Sequence, residues 1–140
     1  MKSRDAFLLA GAIALTDSAV KALITDPPAK NYGFAGNRMD KYPGIVSCVS
    51  GAMTILMSGA LAFSPEKMRL PVALILGGAI SNTADRLIRG YVVDYIPFGK
   101  KYYGNISDIS VFLGAGLGSV LYLKDSETEK RQEISDDIIT

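Results

Sequence analysis

Few side chains in this chain can run acid–base chemistry. Its 140 residues include no His, no Trp and one cysteine, Cys48. That removes Ser-His-Asp and Cys-His nucleophile pairs and any imidazole metal site. Proton transfer is left to Asp, Glu, Lys and Tyr. Two aspartates have no evident basic partner in sequence: Asp94, closing Tyr91-Val-Val-Asp, and Asp108, closing Asn105-Ile-Ser-Asp. Two carboxylates sharing a water-poor site do not both ionise readily, so one keeps a proton while the other stays anionic. The anionic member can take a proton from water while the neutral one polarises a carbonyl. That is peptide hydrolysis without His, Cys or metal. Taken singly, Asp108 also suits a helix N-cap and Asp94 a turn.

The elements that must bring these residues together are membrane helices. Apolar residues make up 49% of the chain and charged ones 21%, with 15 Lys+Arg against 14 Asp+Glu. A net charge of +1 supplies no basic field, so no nucleic-acid partner is expected. The charges are unevenly spread. Residues 43–64 carry no Asp, Glu, Lys or Arg, and an apolar helix over 45–63 would be about 29 Å long, close to the roughly 30 Å hydrocarbon core of a bilayer. Shorter apolar runs lie at 6–16, 70–84 and 109–123, and polar flanking turns extend them to spanning length.

Four helices are therefore predicted, at 5–25, 43–63, 70–90 and 107–124. The fold class is an all-α integral membrane protein, running up and down. A small extracytoplasmic subdomain, open to β structure, would come from the 26–41 and 91–105 loops. Residues 1–124 form the four-helix domain, and residues 125–140 read as a polar, disordered cytoplasmic tail with too little apolar surface to offset ordering. A soluble bundle is the alternative, but 42–65 lacks any polar face.

Several local patterns read more plainly as packing. The first segment has the shape of a secretory signal, with Lys2 and Arg4 before residues 7–15, but Asp17 and Lys21 continue it at i,i+4 and it is kept as the first span. Residues 45–48 imitate a bacterial lipidation box, yet an apolar run does not precede them. Cys48 reads as a small buried packing residue. Gly77 and Ser81, and Gly114 and Gly118, are spaced to let helices approach closely.

Short connections make successive helices alternate in direction. Asp17 and Lys21 late in helix 1, Asn82, Asp85, Arg86 and Arg89 late in helix 3, and Asn105 and Asp108 at helix 4 then share one membrane face. The helix-3 set is spaced i, i+3, i+4, i+7 and lies on one stripe. Ionisable groups at membrane depth normally face a bundle interior or an aqueous cavity, so the pattern predicts a polar pocket near that face. Asp17/Lys21 and Asp85/Arg86 also suit structural ion pairs or snorkelling anchors. An ion pathway would need polar residues continuing to the opposite face, and helix 2 and the first half of helix 3 have none.

The constellation resembles the lipoprotein signal peptidase family, signal peptidase II, over nearly the whole chain apart from the tail. The family's helix-1 aspartate and lysine correspond to Asp17 and Lys21, and its Asn-x-Gly-x-Ala segment to Asn31-Tyr-Gly33-Phe-Ala35. Its Gly-Asn-x-x-Asp-Arg motif and following Val-Val-Asp correspond to Ser81-Asn82-Thr-Ala-Asp85-Arg86 and Val92-Val93-Asp94. Its Phe-Asn-x-Ala-Asp corresponds to Gly104-Asn105-Ile-Ser107-Asp108. Ser81, Gly36, Gly104 and Ser107 depart from the family's Gly, Phe, Phe and Ala, and the connection between the aspartates is shortened. These departures are expected to change the pocket wall.

The resemblance implies an intramembrane aspartic endopeptidase that cleaves a bacterial prolipoprotein just before its diacylglyceryl-cysteine. Asp94 and Asp108 would be the catalytic pair. Asn31, Asn82, Arg86 and Asn105 would hold substrate or shape the site, and Asp17, Lys21 and Asp85 would be structural. It implies no cofactor and no metal, with diacylated prolipoprotein and membrane lipid as partners of a monomer. A catalytically altered relative that only binds lipidated peptide is the alternative. Lys2, Arg4, Lys67, Arg69, Lys124, Lys130 and Arg131 lie away from the pocket, against Lys30, Arg38, Lys41, Lys100 and Lys101 beside it. The resemblance implies a multi-pass protein of the bacterial inner membrane, and this asymmetry favours cytoplasmic termini and an extracytoplasmic site.

Overall fold

The computed structural model describes residues 1–34 and 38–139, with side chains described through residue 134. Four helices, α1 (Ser3–Leu23), α2 (Pro43–Phe63), α3 (Arg69–Arg89) and α4 (Ile106–Ile139), account for most of the chain. Between α3 and α4 come β2 (Val92–Asp94), β3 (Ile96–Phe98) and β4 (Tyr102–Gly104), and β1 (Ala29–Asn31) follows α1. The four predicted helices are thus present, with ends displaced by at most two residues except at the end of α4, which runs on to Ile139.

Local sequence explains where they start and stop. Pro43 opens α2, where its missing N–H is no loss, and Ser64-Pro65 ends it by disfavouring helical backbone before proline. Gly90 ends α3 in the left-handed region, φ 79°, its N–H returning to the Arg86 carbonyl, a conformation that glycine adopts without penalty. Of the 21 residues in α2, only Val46, Ser50 and Leu61 are buried. Its other faces meet what surrounds the bundle, which suits a helix apolar all round.

By length and composition, α1, α2 and residues 106–134 of α4 can cross a membrane. Helix α3 carries the stripe Asn82, Asp85, Arg86 and Arg89, and it is the central element, packed against α1, α2 and α4. Its neighbours cover the polar side chains that lipid would not accept. The α1 face turned inward is Ala6, Ala10, Ala14, Asp17 and Lys21. Small residues let the backbones close up along this seam and between α3 and α4: a Cβ on Gly77 would lie 2.8 Å from the Ala10 carbonyl oxygen, and one on Gly114 would lie 2.6 Å from that of Pro71.

At one end of the bundle the connections form two small antiparallel sheets. β1 pairs with β2 in the register Ala29↔Asp94, Lys30↔Val93, Asn31↔Val92, and β3 pairs with β4 from Ile96↔Gly104 to Phe98↔Tyr102. These are the β structure for which the 26–41 and 91–105 loops left room. At the opposite end the N-terminal amine pairs with Glu66, Arg69 donates to the Met1 carbonyl at 2.9 Å, and Lys67 pairs with Asp125.

Two expectations differ from what is found. Helix continues through residues 125–139, where a disordered tail is predicted. Adding turns to an existing helix needs no new nucleus, and the Glu, Lys, Arg and Gln of this stretch are good helix formers. Cys48 is exposed rather than buried. It lies on an outer face of α2, where uncharged neighbours signal lipid contact and not a protein core.

Candidate active site

The N-terminus of α4 fixes the first carboxylate. Asn105 precedes the helix and accepts the Asp108 N–H on its Oδ1 at 2.9 Å, while its own N–H donates to Asp108 Oδ2 at 3.1 Å. This reciprocal cap satisfies two helix-end donors. The capping residue is therefore Asn105, and Asp108 is its partner one turn in. The other oxygen, Asp108 Oδ1, accepts the Asn82 amide N–H at 2.9 Å from α3.

The second carboxylate stands at the end of β2. Asp94 is 3% exposed, and its Oδ1 accepts a 2.8 Å bond from Asn105 Nδ2. Asn31, on the β1 strand that pairs with β2, acts on it in the lowering sense. Asn105 thus links the two aspartates, donating to one and capping with the other. Burial, followed by the negative charge of Asp108, pushes Asp94 up from the ordinary 3.8 to about 6, against the lowering effect of Asn31 and Asn105. A carboxyl so shifted is suited to proton transfer near neutral pH.

Behind this pair lies a buried ion cluster. Lys21 Nζ is 2.7 Å from Asp17 Oδ2 and 3.0 Å from Asp85 Oδ2, with Lys21 and Asp17 wholly unexposed. Lys21 does not snorkel. Its Nζ also donates to Asn82 Oδ1 at 2.8 Å, so the carbonyl side of that amide faces the cation and the N–H₂ side is left for Asp108. Asp85 accepts the Val93 N–H at 3.1 Å, tying β2 to α3 one residue before Asp94. Asp17 and Lys21, expected as a local pair, are joined by Asp85 from α3. Arg86 is not the ion-pair partner of Asp85; that part is taken by Lys21 and, at 3.4 Å, by Arg89. The Arg86 guanidinium instead donates to the Gly33 carbonyl at 2.8 Å and lies over the Phe34 ring.

Asp108, Asn82, Asn31 and Arg86 line a cavity of about 1030 Å³, whereas Asp94 and Asn105 are not among its lining residues. Its walls are largely apolar and aromatic: Met53 from α2, Ala79 from α3, Phe98, Tyr102 and Tyr103 from the hairpin, and Ile109, Phe112 and Leu113 from α4. Gly104 belongs to the wall and is needed as glycine, because a Cβ there would lie 2.6 Å from the Phe98 ring and 2.8 Å from Asp108 Oδ2.

Ser81 and Ser107, read from sequence as changes to the pocket wall, do not line the cavity; both donate to Asp17 Oδ2, at 2.7 and 2.6 Å. Helical rotation turns them toward α1. Gly36 and Ala35 lie outside the described residues. Sequence reasoning also missed Tyr95, whose hydroxyl donates to Asp17 Oδ1 at 2.7 Å and accepts the Ile106 N–H at 3.3 Å. Burial and the bond to Asp17 push its phenol upward. Its position next to Asp94 is the one signal that could have drawn attention to it. Among the described residues no three of His, Cys, Asp and Glu form a metal-binding group.

Fold and site together define a multi-pass membrane protein with two carboxylates bridged by an asparagine beside an apolar cavity. The sequence profile of the family described as Signal peptidase (SPase) II matches residues 9–124. The chain belongs to that family. Proteins named lipoprotein signal peptidase are similar to it: that of Haemophilus ducreyi is 35% identical over 100 residues, 64% of this chain and 62% of the relative, and that of Alteromonas mediterranea is 31% identical over 113 residues, 73% and 62%. That of Shewanella oneidensis is 40% identical over 74 residues, 49% of this chain and 44% of the relative. The matches thus span between 44% and 62% of these relatives' lengths. A solved bacterial membrane enzyme has the same fold, with a TM-score of 0.78 at 22% identity over 89% of this chain and 90% of the other.

Proposed function

We propose that this chain is an intramembrane aspartic endopeptidase that removes the signal peptide from diacylglyceryl-modified bacterial prolipoproteins, cutting before the lipidated cysteine. The observation that carries the reading is the Asn105 bridge: one side chain bonded to Asp94 and reciprocally capped with Asp108, beside a cavity of about 1030 Å³. That volume is at the upper end for ligand pockets, and its aromatic and aliphatic walls suit acyl chains beside a peptide.

In this mechanism the pair shares one proton. The ionised carboxylate takes a proton from water as the water oxygen attacks the scissile carbonyl carbon, and the protonated one hydrogen-bonds the carbonyl oxygen. The tetrahedral intermediate then collapses: the C–N bond breaks, the amine of the lipidated cysteine receives a proton, and the pair returns to its shared-proton state. Burial and the charge of Asp108 push Asp94 to about 6, and the two carboxyls titrate as a pair. Asn31, Asn82 and Asn105 fix the carboxylates, and Arg86 braces the 31–34 loop at the cavity rim.

The protein works as a monomer, with the site at the extracytoplasmic face and both termini cytoplasmic; residues 1–124 suffice for chemistry and 125–140 are dispensable. Cysteine labelling in intact cells tests the orientation. In a Cys48→Ala background, Lys100→Cys should react with an impermeant reagent and Ser3→Cys should not. The reverse pattern inverts the topology. Activity is tested by gel-shift cleavage of a diacylated prolipoprotein. Binding without a single turnover would favour the lipopeptide-binding alternative.

A further inference from the structure

The sequence neighbours of both aspartates converge on a third. Tyr95, directly after Asp94, donates to Asp17 Oδ1 at 2.7 Å, and Ser107, directly before Asp108, donates to Asp17 Oδ2 at 2.6 Å. Ser81 and Lys21 complete the cage at 2.7 Å each. One unexposed carboxylate on α1 therefore gathers donors from α3, from the β2–β3 link and from α4.

We propose that Asp17 is a positioning residue for the reaction: by holding Tyr95 and Ser107 it sets the separation and facing of Asp94 and Asp108. The inference rests on the reading that these two carry the chemistry. Adjacent Cα atoms are only about 3.8 Å apart, so a fixed Tyr95 or Ser107 leaves its neighbour little freedom. A tether is also needed, because negative charge on both members would drive the two segments apart. β2 has only three residues, so the segment that carries Asp94 is too short to resist that repulsion by itself. Hydroxyl bonds to a buried carboxylate are charge-assisted and short, which makes them effective tethers. Asp17, Tyr95 and Ser107 are not among the cavity-lining residues, so their loss should alter the pair without altering substrate contacts.

The test removes one hydroxyl at a time. Tyr95→Phe and Ser107→Ala are assayed in full-length protein for kcat and KM on a diacylated prolipoprotein, well below the unfolding temperature, with Leu61→Ala as a destabilised core control. Misplacing catalytic groups by a fraction of an ångström is expected to lower kcat about tenfold or more in each variant while KM stays within about twofold. Leu61→Ala should lower the unfolding temperature and leave kcat intact. If one hydroxyl variant does not fold, the other carries the comparison. Full kcat in a folded hydroxyl variant with only its stability reduced would overturn the inference and leave Asp17 purely structural. Cleavage surviving in Asp94→Asn would instead remove the reading beneath it.

Discussion

Lys21, fully buried, donates from its Nζ to the side-chain carbonyl of Asn82 at 2.8 Å. The contact joins the charged cluster inside the bundle to the amide that holds Asp108. It gives α1 a part in the site although α1 supplies neither of the two carboxylates proposed to be catalytic.

Replacing Lys21 by Met leaves Asp17 and Asp85 buried without their shared cation. Removing one partner of a buried ion pair typically destabilises by about 3–5 kcal/mol. Thermal unfolding in detergent should show such a loss, and the double variant Lys21→Met/Asp17→Asn, which also removes one of the stranded charges, should lose less. Equal losses in the two would contradict the account.

Gly104→Ala forces a methyl group between the Phe98 ring and Asp108 Oδ2. The ring is half exposed and can swing away, but the carboxylate cannot shift without straining its bonds to Asn82 and the Asn105 N–H. Cleavage should fall by about tenfold to 10²-fold. Adding Phe98→Leu, which relieves only the ring contact, should not restore it. Full activity in Gly104→Ala would show that Asp108 tolerates displacement.

The shift of Asp94 gives stability a definite pH dependence. Its proton is held more tightly in the folded chain, up to about 6 against an ordinary 3.8, so protonation favours the fold. The contribution is fully present below about 4 and is lost as pH rises through about 6. Unfolding measured from pH 4 to 7 should show wild type losing stability relative to Asp94→Asn, which has no such proton to release. A relative gain with rising pH would contradict the assigned direction.

Parts of this architecture were open to reading from single residues. The absence of charge over 43–64, bounded by Pro43 and Pro65, delimits α2 because a membrane helix needs length and apolarity more than periodicity. The Asn82, Asp85, Arg86, Arg89 stripe marks the polar face of α3 for the same helical reason. The bond between Lys21 and Asn82 was hidden, since it joins residues that only the packing of α1 on α3 brings together. The pairing of Ala29–Asn31 with Val92–Asp94 was hidden as well: three-residue strands carry too little alternation to reveal a partner. Ser81 and Ser107 were misread because a departure from a motif says nothing about which way a helix turns its side chain.

The central claim is that Asp94 and Asp108 together hydrolyse the peptide bond. It is tested most directly by gel-shift cleavage of a diacylated prolipoprotein with wild type, Asp94→Asn and Asp108→Asn, each checked for a folded helical spectrum in detergent. Wild type should convert the substrate, and each variant should lose about 10²–10⁴-fold or more in rate, the usual weight of a positioned proton-transfer group. Undiminished cleavage by either folded variant would contradict the account.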